Sequence, residues 1–87
     1  MKTIHKYPLE ITGEQQIDIP EDSRILSVQV QDGKVCLWAM VDTETEKVKR
    51  TVRIFGTGSP VDLDGLSYIG TVQQNYLVWH VFIHIDF

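Results

Sequence analysis

Residues 25–41 read Ile25-Leu26-Ser27-Val28-Gln29-Val30-Gln31, then Asp32-Gly33, then Lys34-Val35-Cys36-Leu37-Trp38-Ala39-Met40-Val41. Two β-rich runs separated by Asp-Gly predict a hairpin, because a type I′ turn needs positive φ at both central positions and this dipeptide supplies it. The turn sets a register in which Gln31 faces Lys34, Val30 faces Val35, Val28 faces Leu37 and Leu26 faces Ala39. These apolar pairs share one face, which gives the hairpin a core side. The other face carries Ile25, Ser27, Gln29 and Gln31 beside Cys36, Trp38 and Met40. The second strand is thus apolar on both faces, as expected of a central strand covered twice.

Working outward, Asp42 to Glu46 is a polar loop, and Lys47 to Phe55 reads as a third strand. Alternation places Val48, Arg50, Val52 and Ile54 on one of its faces and Lys49, Thr51, Arg53 and Phe55 on the other. Gly56-Thr57-Gly58-Ser59-Pro60 ends it with turn chemistry, which Asp62-Leu63-Asp64-Gly65 continues. A last hairpin joins Leu66–Gln73 to Tyr76–Asp86 through a Gln74-Asn75 turn. In that register Val72 faces Leu77, Gly70 faces Trp79 and Tyr68 faces Val81, with Trp79 in the core over the glycine. Leu77, Trp79, Val81, Ile83, Ile85 and Phe87 then form one core face. Upstream, Lys2 to Glu10 is extended, with Pro8 favouring an edge or strand end, and Gln15 to Ile19 is a further short strand. No segment keeps a 3.6-residue period over a helical length. The expectation is one all-β domain over residues 1–87, a small antiparallel sandwich or partly open barrel of six to seven strands.

Composition narrows the function classes. In 87 residues, eight Lys and Arg stand against twelve Asp and Glu, a net charge of −4. That balance argues against wholesale binding to nucleic acid or to an anionic membrane. The single cysteine, Cys36, has no partner for an internal disulfide and fits a reducing compartment. The N-terminus lacks the apolar run of a secretory signal. The most apolar stretch, Tyr76 to Ile85, is half the length of a spanning helix. A cytoplasmic, soluble protein is the expectation.

No catalytic constellation stands out. His80 and His84 have the i, i+4 spacing that serves zinc on a helix, but on a strand their Cα atoms lie roughly 13 Å apart. His84 and Asp86 are closer, yet two ligands do not make a site. Cys36 sits among apolar neighbours that keep a thiol inert. Ser59 lacks the elbow that activates a serine nucleophile. The reading is therefore of a protein without enzymatic activity, metal or cofactor.

Two features suit binding. The Gly56-Thr57-Gly58-Ser59 turn offers amides and hydroxyls to an anion, although it lacks the lysine of a P-loop and is equally a plain tight turn. The second face of the central hairpin and its neighbour would bring Trp38, Met40 and Phe55 near Lys49 and Arg53. An aromatic ring beside fixed cations suits a nucleotide. The same surface suits a subunit interface, or a second core layer with snorkelling cations.

Four segments carry a likeness: Lys2-Thr3-Ile4-His5-Lys6-Tyr7-Pro8-Leu9; Ile25 to Gln29 with Cys36-Leu37-Trp38-Ala39; Arg53-Ile54-Phe55-Gly56-Thr57-Gly58; and Tyr68-Ile69-Gly70-Thr71 with Val78-Trp79-His80-Val81-Phe82. In these the chain resembles a family of small, functionally uncharacterised phage and prophage proteins. The resemblance implies expression in the cytoplasm of an infected bacterium. It suggests a homo-oligomeric counter-defence protein that sequesters a nucleotide-derived immune signal. The expected pocket is built from Trp38, Lys49, Arg53, Phe55, Gly56, Thr57, Gly58 and Ser59, between subunits. An inhibitor of a host protein and a minor virion or assembly component are the alternatives.

Overall fold

Asp32 and Gly33 both take positive φ, 51° and 78°, the type I′ geometry that follows the twist of the flanking strands. They join β3 (Arg24–Gln31) to β4 (Lys34–Asp42). The computed structural model describes residues 1–85, and in it five further strands surround this hairpin. They are β1 (Lys2–Pro8), β2 (Glu14–Pro20), β5 (Lys47–Gly56), β6 (Leu66–Gln74) and β7 (Leu77–His84).

The strands form two antiparallel sheets, a three-stranded one in the order β1-β4-β3 and a four-stranded one in the order β2-β5-β7-β6. The sheets are not closed into a barrel, so the architecture is a sandwich. Period-2 alternation fills the space between them. Val35, Leu37, Ala39 and Val41 of β4 meet Ile17 and Ile19 of β2, Val52 and Ile54 of β5, and Val81 and Ile83 of β7 in one buried cluster. Each of the Val, Leu and Ile side chains contributes about 1.5–3 kcal/mol of burial. Pro8 closes β1 at a sheet edge, where its missing N–H costs no ladder bond.

The first hairpin keeps its predicted pairs from Gln31↔Lys34 to Val28↔Leu37. A bulge between Ile25 and Ser27 then changes the pairing, so Ile25 and not Leu26 faces Ala39. One extra residue reverses the parity of everything before it. Ile25 packs against the core, and Leu26 is left 43% exposed.

The second hairpin differs from its predicted register by two residues. Its turn is Asn75-Tyr76, with Gln74 opposite Leu77, Val72 opposite Trp79 and Gly70 opposite Val81. Asn75 alone has positive φ there, 56°, the pattern of a type II′ turn. A shift of two preserves which face each β7 residue takes, so Val81 and Ile83 are buried as predicted. Leu77 and Ile85, at the two ends, are exposed. Phe87, predicted for the same face, lies outside the described residues.

The glycine beneath Trp79 is also a different one. Gly56 is its cross-strand partner, and the indole Cζ3 lies 3.4 Å from where a Gly56 Cβ would be. Trp79 is half-buried at the margin of the core, with Nε1 donating to Gln74 Oε1 at 3.0 Å.

Candidate functional site

The strand β4 contributes to the first sheet and β5 to the second. The core takes Leu37 and Ala39 from one and Val52 and Ile54 from the other. Their alternate residues therefore point to opposite sides of the sandwich. Trp38 is on the outer face of the first sheet, while Lys49, Arg53 and Phe55 are on the outer face of the second. The expected Trp38–Arg53 surface does not exist within one chain, because the polar loop after β4 crosses between sheets instead of returning as a hairpin. Lys49 is also separated, roughly 13 Å along β5 from Arg53, and its ammonium meets Asp18 at 3.1 Å.

Phe55 and the Gly56–Ser59 turn do come together, and the Arg53 guanidinium reaches the Phe55 ring. Antiparallel pairing sets Arg53 beside Phe82 and Phe55 beside His80. Across the next ladder Tyr68 lies beside Phe82, and Thr71 beside His80. The three rings pack edge to face, Phe55–Phe82 at 5.7 Å and Tyr68–Phe82 at 5.5 Å between centroids, the arrangement that aromatic quadrupoles favour. The Arg53 guanidinium carbon is 5.2 Å from the Phe55 centroid. Its Nε donates to the Gly13 carbonyl at 2.8 Å, which holds the cation in place at the edge of the cluster.

A line of polar groups borders the rings. Thr57 Oγ1 is 2.7 Å from His80 Nε2, and Thr71 Oγ1 is 3.0 Å from His80 Nδ1. The Tyr68 hydroxyl meets Thr71 Oγ1 at 2.5 Å. Both ring nitrogens of His80 are thus engaged by hydroxyls, each of which can donate or accept. The turn itself is closed by the Ser59 N–H donating to the Gly56 carbonyl at 3.1 Å. Gly58 has φ 89° at the third position, where a type II turn requires glycine or asparagine. Around these groups lies a shallow cleft of about 300 Å³, which Val61 and Leu63 also line. That volume is at the lower end of small-molecule sites.

Tyr68, Thr71, His80 and Phe82 were not among the residues expected from sequence. For Tyr68 the reason is a bulge between it and Gly70, and for Thr71, His80 and Phe82, outward by alternation, it is the β5–β7–β6 pairing that sets them beside Phe55. Strict alternation puts residues 68 and 71 on opposite faces, whereas the extra residue brings both to the outer face, leaving Tyr68 58% exposed. Gly70, a glycine inside a strand, is the signal that allows a bulge to be suspected.

Among the described residues no group of three or more His, Cys, Asp or Glu is placed to hold a metal ion. His80 and His84 lie on β7, and Asp86 falls outside the described residues. Cys36 is buried. No helix among them is long and apolar enough to cross a membrane.

The fold and this face define a small all-β sandwich with an aromatic cleft on one sheet and Arg53 packed on the Phe55 ring. The chain belongs to the family described as a domain of unknown function, DUF7352, which matches residues 1–86. Neither the curated proteins nor the solved structures contain a match to it.

Proposed function

We propose that this is a non-catalytic binding protein that holds an anionic, aromatic small molecule, such as a nucleotide, on the outer face of its second sheet. The observation that carries the reading is the fixed Arg53 guanidinium over the edge of the Phe55–Phe82–Tyr68 cluster. A planar base stacks on exposed ring surface, for about 1–3 kcal/mol per base in known binders. Arg53 and the hydroxyls of the Gly56–Ser59 turn take its phosphate through charge-assisted hydrogen bonds. The likeness to phage proteins extends the proposal to a phage-encoded role in the host cytoplasm, where capture of a nucleotide-derived defence signal needs affinity and no turnover.

The test is calorimetric titration with mono-, di- and cyclic nucleotides, with product analysis alongside. The reading expects saturable binding of at least one nucleotide, no product, and loss of binding in Arg53→Glu with the fold intact. If none binds more tightly than about 1 mM, or if Arg53→Glu binds as well as wild type, the reading fails.

A further inference from the structure

The hydrogen bonds around His80 form one chain with both ends in the cleft. Thr57 Oγ1 meets the ring at Nε2, and Thr71 Oγ1 meets it at Nδ1. The Tyr68 hydroxyl continues the chain from Thr71 Oγ1. Thr57, His80 and Tyr68 line the cleft, so the two end hydroxyls, of Thr57 and Tyr68, are the groups of this chain that a ligand meets. Each hydroxyl has one proton to give, and a neutral imidazole has one N–H. The directions of the bonds are therefore interdependent.

A neutral ring allows two arrangements. With the proton on Nε2, the ring donates to Thr57, and Thr71 must donate to Nδ1. Tyr68 then donates to Thr71, and only the Thr57 proton is left for the cleft. With the proton on Nδ1, the ring donates to Thr71, Thr71 donates to Tyr68, and Thr57 donates to Nε2. Only the Tyr68 proton is then left. An imidazolium donates at both nitrogens. Thr71 again donates to Tyr68, and the hydroxyls of Thr57 and Tyr68 both have a proton for the cleft, beside a positive charge.

We infer that His80 takes up a proton when the cleft takes an oxyanion, and that this proton selects a phosphoryl group over a neutral ligand. The inference rests on the reading that this face binds an anionic ligand. An oxyanion only accepts hydrogen bonds, so the second donor and the charge both favour it. Imidazole is the side chain that ordinarily changes charge near neutral pH. From β5, Phe55 lies beside His80, with Arg53 two residues along. From β6 come Thr71 and Tyr68, and β7 itself carries His84. Asp62 and Asp64 flank Leu63, which lines the cleft, and Asp62 Oδ1 accepts the Asp64 N–H at 3.0 Å. No carboxylate is among the described residues that line the cleft. These charges act on the ring in the free protein and in the complex alike, so the difference between the two states is the ligand's. A proton held more tightly in the complex makes the affinity greatest at low pH, and the gain is lost as pH rises through the bound-state titration.

The experiment is calorimetric titration with a cyclic nucleotide, a phosphodiester whose charge is constant across the neutral range. Buffers of different ionisation enthalpy count the protons taken up. Wild type is expected to take up as much as one proton, with affinity falling by up to about tenfold per pH unit. The parent nucleoside, which is neutral, is expected to bind more weakly and without proton uptake. His80→Gln, whose amide still donates and accepts, is expected to bind at every pH with the high-pH affinity of wild type and without proton uptake. A wild-type affinity that is flat with pH, a nucleoside that takes up the same proton, or an unchanged pH profile in His80→Gln each overturns the inference and leaves the reading of the cleft standing. Absence of binding at every pH overturns both. If His80→Gln does not fold, the ring-nitrogen chemical shifts of His80 in wild type decide. The nucleotide is expected to move the imidazole titration to higher pH, and an unmoved titration overturns the inference.

Discussion

Gly70 lies directly against Val28: a Cβ placed on the glycine would be 3.2 Å from the Val28 Cβ. The contact joins β6 of one sheet to β3 of the other, and a methyl group fits there only if Val28 gives way by a few tenths of an ångström. Gly70→Ala is expected to cost about 1–3 kcal/mol, the usual range for overpacking, although alanine carries less backbone entropy. In urea unfolding, much of that cost should disappear in the Val28→Ala background, giving a coupling energy of about 0.5–3 kcal/mol. Additive effects would show that the sheets are spaced differently.

Trp79→Ala should cost about 2–3 kcal/mol, less than the 3–5 kcal/mol of a fully buried aromatic. The indole is half-buried and rests on Gly56 at the margin of the core. Gly56→Ala should cost less, because the 3.4 Å approach is ordinary van der Waals contact. Denaturant midpoints of the two variants are the check, with the tryptophan variant expected to unfold first.

The first hairpin was legible because Asp32-Gly33 admits one turn geometry and the Val30–Val35 and Val28–Leu37 pairs agree with it. The buried faces of β4, β5 and β7 followed from alternation alone. Two single-residue bulges, at Leu26 and at Ile69, escape alternation, and only the second has a cue, the glycine at position 70. Nothing in Ile25-Leu26 says which residue is the extra one, and each bulge reverses the parity of the residues beyond it. The partition into sheets was equally hidden. Residues 43–46 have the composition of a hairpin loop, yet they cross the sandwich, with the Glu21 N–H bonding the Glu46 carbonyl at 2.8 Å. For those reasons the turn half of the candidate site is visible in sequence, whereas the outward turn of Tyr68 and the pairing that sets Phe82 and Thr71 at the site are not, and Trp38 lies in the other sheet from Arg53 and not beside it.

That correction makes Trp38 a control. Trp38→Ala should leave nucleotide affinity unchanged, whereas Phe55→Ala should weaken it by roughly five- to a hundredfold, the equivalent of about 1–3 kcal/mol of stacking. Calorimetry on both variants, with wild type alongside, decides between the two faces.

Asp42 gives a pH prediction. Its carboxylate accepts the Glu44 N–H at 3.0 Å and the Met1 ammonium at 3.2 Å, and these hold its pKa below the usual aspartate value. A lowered folded-state pKa means that the stabilisation is complete above the unfolded value of about 3.9. It is lost as pH falls through the folded one. Asp42→Asn should therefore unfold at lower urea than wild type near neutral pH, with the difference closing as pH drops below that range. A difference that widens in acid would contradict this.

The central claim is that the ligand surface is the outer face of the second sheet. Its most direct measurement is amide and aromatic chemical-shift mapping by NMR during titration with the nucleotide that binds best. The account predicts that shifts concentrate at Arg53, Phe55, Thr57, Gly58, Tyr68, His80 and Phe82, saturate together, and leave Trp38 and Met40 unmoved. Saturable shifts centred on Trp38 and Met40, or no saturable shift at any of these residues, would contradict it.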